Sequence, residues 1–168
     1  IGHTFYFYLG IAGKFPAWLA GPLAIYCLEQ AMISIHPNEK KMQEFKLFSS
    51  AKLFLVYLVF VLICFIVPIA ENPTAPFLPI AINSMFGVLL FTGFLAQFYT
   101  RKTSAEFRYF FYGVLLTIPT AFIFLLKINL HVWFDKNDLS HVLMTIGIIF
   151  FYAGIEKVSH TLLGFQSR

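Results

Sequence analysis

The stretch LFSSAKLFLVYLVFVLICFIVPIA, Leu47–Ala70, decides the fold of this chain. It holds one ionisable side chain, Lys52, close to its start. About twenty apolar residues in a helix cross a hydrocarbon core, so this stretch places the protein in a bilayer. The rest of the sequence repeats the pattern: long apolar runs broken by short, charge-bearing gaps. The chain has 59% hydrophobic and 12% charged residues with a mean hydropathy of +0.77. A soluble domain carries about twice that charged share, which excludes a water-soluble reading. The fold expected is an all-α transmembrane bundle, a single domain over residues 1–168.

Six membrane segments are in view. The chain opens on Ile1-Gly2-His3, with no initiator Met, charged n-region or cleavage site, and so not on a signal peptide. Ile1 to Ala12 reads as the tail of an incomplete helix ended by Gly13-Lys14, so the native protein is expected to continue upstream. Phe15 to Ile35 follows, with Pro16 in the first turn and Pro22 as a kink. His36 to Lys41 reads as a turn and interfacial segment, and Leu47 to Ile69 is the third element, closed by Pro68. Glu71 to Pro76 is a connector. Phe77 to Tyr99 is the fourth segment, and Thr103 with Glu106 has the spacing of a capping box for the fifth, Phe107 to Leu130. Asn137 or Asp138 is expected to cap the last, Leu139 to Ile155.

These segments alternate across the membrane. One side collects Lys40, Lys41, Lys46, Lys52, Arg101, Lys102, Arg108, Lys157 and Arg168, and the other holds Lys14, Lys127 and Lys136. Nine basic residues against three is a positive-inside signal that puts the C-terminus in the cytoplasm. The basic residues lie in gaps between spans rather than on one face, which gives no case for nucleic acid. Cys27 and Cys64 fall at different depths, so no disulfide is expected. The 22 phenylalanines are lipid-facing bulk, or alternatively an aromatic pocket for an isoprenoid or acyl chain.

A polar side chain inside a span needs a reason. Glu29 lies some two turns from the cytoplasmic end of its span, and Lys52 at similar depth on the next, antiparallel one. A structural ion pair between them is the cheapest way to hold both there. The sharper alternative makes Glu29 a proton carrier or coupling site. Thr117 and Thr120 around Pro119 read as packing, their hydroxyls meeting the carbonyl that the proline frees. Asn83-Ser84 reads as interhelical hydrogen bonding.

His3, His131 and His141 all fall toward the outer half, joined by Asp138, which precedes His141 by three residues on one helix face. Three imidazoles and a carboxylate suit a catalytic zinc, which takes three protein ligands and keeps one position for water. Water on that metal could attack a lipid ester or amide. The structural reading of the same residues is that Asp138 caps a helix, His131 is interfacial and His141 bonds a neighbour. Depth separates the candidates: His3 lies about 13 Å down its helix, and His141 barely a turn into its own. A half-buried connector is needed to bring them level.

The segment Ile128 to His141, INLHVWFDKNDLSH, resembles the opening of the last helix in an uncharacterised family of bacterial multi-span proteins. Those chains tend to read aromatic-Asp-x-Asn, two residues, then His, and Gly2-His3 resembles the end of their early Gly-Gly-x-x-His stretch. That family is distantly similar to the seven-helix superfamily of alkaline ceramidases, adiponectin-type receptors and haemolysin III proteins. The resemblance implies seven helices in a bacterial inner membrane, with zinc as cofactor, His3 as the early ligand and His141 as a late one. The superfamily's second late histidine has Thr145 in its place here, so Asp138, read as catalytic, or His131 would fill the gap. Two functions follow: a zinc-dependent hydrolase of a lipid amide or ester, or a non-catalytic structural or accessory subunit of a larger membrane complex. The bilayer is the partner in both, with a lipid substrate in the first and complex subunits in the second.

Overall fold

A computed structural model of the chain describes residues 10–69, 71–72, 75–126, 128–131 and 133–166. His3 and Lys127 lie outside the described residues. The described chain is helical, with no strand longer than an isolated bridge between His131 and Phe134. Three helices are long and apolar enough to cross a membrane: Glu39–Ile66, Phe77–Lys102 and Asp138–Thr161. Backbone contacts group the chain into two compact units, Ile1–Phe91 and Thr92–Arg168.

In the first unit a 3-10 turn, Gly10–Lys14, leads into α1, Phe15–Ser34. Proline at the start of α1 lacks only an N–H that the helix could not have used. The next helix, α2, covers Glu39–Ile66 and begins eight residues before the apolar run. The cause is Asn38, whose side chain accepts the Lys41 N–H at 2.9 Å and caps the helix in the polar segment. Pro68 cannot continue α2, which stops at Ile66, while the Val67 N–H still bonds the Ile63 carbonyl at 2.9 Å. The third helix opens as α3, Phe77–Phe86, and widens into a π-helical segment, Gly87–Phe94. Trp18, Phe60 and Ile80, one from each helix, form the apolar core, with Phe15 and Cys64 packed on it. Trp18 meets Phe60 edge-on at 6.3 Å between ring centres, a favoured aromatic geometry.

The second unit continues the third helix as α4, Leu95–Lys102. A 3-10 turn, Ala105–Phe107, then opens α5, Arg108–Leu125, and α6 runs Lys136–Gln166. Two caps differ from their sequence reading. Ser104, not Thr103, accepts the Glu106 N–H, because its extended backbone aims the hydroxyl into the turn. The last helix starts at Lys136, and Asp135 takes the cap: its Oδ1 accepts the Asp138 N–H at 3.1 Å, while Asp138 Oδ2 accepts the Asp135 N–H at 3.2 Å. This is a reciprocal capping box with Asp138 at its third position.

The α5–α6 hairpin closes on glycine. A Cβ on Gly113 would stand 3.0 Å from the Gly147 carbonyl oxygen, and one on Gly147 would stand 3.2 Å from that of Gly113. The two backbones therefore touch where neither residue has a side chain. Phe110 fills the space beside Gly154 and stacks on Phe151 at 6.2 Å. Thr117 and Thr120 back-bond to the carbonyls of Val114 and Thr117, at 2.9 and 2.6 Å, in the turn before and around Pro119.

Candidate functional site: a buried polar cluster on three helices

The first unit brings four polar side chains together inside its apolar surroundings. Glu29, from α1, is fully buried. Its Oε2 accepts the Ser49 hydroxyl of α2 at 2.5 Å, and its Oε1 accepts from the Lys52 ammonium. Ser49 and Lys52 stand three residues apart on α2, the spacing that puts two side chains on one helix face. Lys52 donates a second bond, 2.7 Å, to Oδ1 of Asn83 on α3, and its Nζ lies 5.9 Å from the centre of the Phe91 ring. The hairpin thus brings Glu29 and Lys52 together, and Asn83 ties the third helix to them.

Geometry around the cluster is tight. A Cβ on Gly87 would run into Ile25 and the Glu29 carboxylate, so only glycine fits that turn of the third helix. The π-helical segment starts at the same residue. Glu29 lies five residues before the end of α1, about 7.5 Å along the axis at helical rise. The surrounding side chains close the carboxylate off from solvent, while Lys52 keeps 15% of its side-chain surface exposed.

Chemically the cluster is a neutral pair. Both carboxylate oxygens are engaged, and the charges sum to zero. Asn83 Nδ2 is a buried donor with no partner among the described residues. The arrangement can fasten three helices in one register and reject any register that separates the charges.

The residues read as a zinc site are placed differently. Asp138, His131 and His141 are all exposed. Asp138 is engaged in the capping box, and Nδ1 of His131 accepts the Trp133 N–H at 3.2 Å inside its own tight turn. The backbone carbonyl of His141 accepts the hydroxyl of Thr145 at 2.8 Å. Among the described residues no three His, Cys, Asp or Glu side chains converge as a metal site. His3 lies outside the described residues, so the set that would include it is not defined by this geometry.

Sequence reasoning missed Ser49, although its spacing from Lys52 was a usable signal. Ser84 turns out to bond its own helix, donating to the Ile80 carbonyl at 2.9 Å, so of the Asn83-Ser84 pair only Asn83 reaches across.

The architecture is that of an all-helical protein with three helices able to span a membrane. The chain belongs to a family of unknown function, DUF6962, whose model matches residues 1–160. No curated protein and no solved structure matches it.

Proposed function

We propose that this chain is a non-catalytic structural or accessory subunit of a larger membrane protein complex. In this reading it sits in a bacterial inner membrane with its C-terminus in the cytoplasm. Six membrane segments and a seven-helix fold belong to the same reading. The observation that carries the reading is the capping box: the one carboxylate offered to an outward zinc, Asp138, is spent on starting the last helix. His131 is likewise engaged in its own turn. The demanding polar chemistry is elsewhere, in a neutral cluster suited to fixing helix register. Two of the three long apolar helices bury only 17% of their most apolar window inside the chain, which leaves broad faces for lipid or for neighbouring subunits.

Metal analysis of the purified, detergent-solubilised protein separates this reading from its rival. A subunit role predicts zinc far below one per chain, unchanged by His141→Ala. About one zinc per chain, lost in both His141→Ala and His3→Ala, would replace it with the metal-dependent hydrolase, whose open metal position activates water.

A further inference from the structure

The second unit contains an open cavity of about 350 Å³ lined by Glu106, Glu156, Lys157, His160 and Thr161. Ligand sites run from roughly 300 to 1,000 Å³, so this one suits a small group. Its position is informative. Glu156, Lys157 and His160 end the apolar span Asp138–Thr161, and Glu106 lies in the turn between α4, which ends in Arg101-Lys102, and α5. In a bilayer crossed by these two spans, the cavity at their shared end falls level with the headgroups.

The lining is divided by charge. Glu106 and Glu156 supply two carboxylates, while Lys157 and His160 supply nitrogen donors and Thr161 a hydroxyl. Oε2 of Glu106 is buried and has no hydrogen-bond partner among the described residues. A buried carboxylate oxygen without a donor is costly, so Glu106 gains by turning toward a donor in the cavity, and a primary ammonium offers three N–H groups. Lys157 is held over the ring of Tyr109, with Nζ 5.2 Å from its centre, which fixes the ammonium beside the cavity. Glu156 and His160 are four residues apart, on one face of α6.

We propose that this cavity binds a phosphate ester bearing a primary ammonium, the headgroup of a phosphatidylethanolamine in the adjacent leaflet. The ammonium pairs with Glu106 and Glu156, and the phosphate oxygens accept from Lys157, His160 and Thr161. The mixed lining selects against two other headgroups. An anionic headgroup without an amine leaves the carboxylates facing a negative ligand, and a phosphocholine has no N–H to give Glu106. A lipid is favoured as the source because the cavity opens at the end of a span, where headgroups are always present.

Native mass spectrometry of the full chain, released from vesicles of equal parts phosphatidylethanolamine, phosphatidylcholine and phosphatidylglycerol with matched acyl chains, tests this. One retained phosphatidylethanolamine per chain is expected, preferred about tenfold over phosphatidylcholine, the worth of one charge-assisted bond. Glu106→Gln and Glu156→Gln should each erase that preference, and Lys157→Met should weaken both phosphatidylethanolamine and phosphatidylglycerol. Equal retention of the ethanolamine and choline lipids by the unaltered protein overturns the proposal. So does a preference that survives both glutamine variants; if one variant fails to fold, the other decides. Soluble phosphoethanolamine that displaces the lipid at equal concentration would overturn the lipid source, assigning the cavity to a water-borne ester.

Discussion

The two units of this protein hold their helices together by opposite means. In the first, α1, α2 and α3 are joined by charge: one carboxylate, one ammonium, a serine and an asparagine, flanked by an aromatic core. In the second, α5 and α6 are joined by the lack of side chains, with Gly113 and Gly147 letting two backbones touch. Lipid tails are as apolar as leucine, so burial alone drives helices together only weakly in a membrane. What remains is close packing or polar pairing, and this chain uses each in a different place. The polar fastener is specific but brittle, since losing one member strands a charge. The glycine seam costs little to build and fails through crowding.

The largest expected effect is therefore in the first unit. Glu29→Leu leaves Lys52 with a single neutral partner, and should destabilise that unit by about 3–5 kcal/mol, the usual cost of breaking a buried pair. Unfolding in bicelles by steric trapping measures it. A loss below about 1 kcal/mol would mean that Lys52 escapes to the interface and that the pair is no fastener. Next comes Gly147→Leu, which forces a large side chain between touching backbones and should cost about 1–3 kcal/mol in the second unit. Reporters in the first unit should not move. If Gly147→Leu is silent, the α5–α6 seam does not depend on backbone contact.

Much of this arrangement can be read from sequence, and the parts that cannot have identifiable causes. Apolar runs mark the spans because the bilayer has a fixed thickness. Glu29 and Lys52 stand out because charge inside an apolar run is rare, and a hairpin sets them side by side. The π-helical segment Gly87–Phe94 leaves no such mark: it contains no proline, and it opens at Gly87, beside the crowded Glu29 carboxylate. The start of the last helix is ambiguous for a different reason. Asp135, Asn137 and Asp138 are all good caps within four residues, and only the backbone decides between them. Of the three histidines read as zinc ligands, His131 and His141 are exposed, and His3 lies outside the described residues.

That ambiguity supplies the smallest of the three effects. Asp135→Ala removes the cap of α6 and should cost about 1 kcal/mol, seen as faster amide exchange confined to the first turn of the helix. Exchange that spreads to Gly147 would show that the glycine seam and the helix start are one cooperative unit rather than two.

If Glu29 and Lys52 act as one fastener, a double-mutant cycle of Glu29→Leu and Lys52→Met in a bilayer measures their coupling. The double variant should be more stable than Glu29→Leu alone, with a coupling of about 2 kcal/mol or more between the positions. Additivity within about 0.5 kcal/mol would contradict it, showing two polar residues that merely lie side by side.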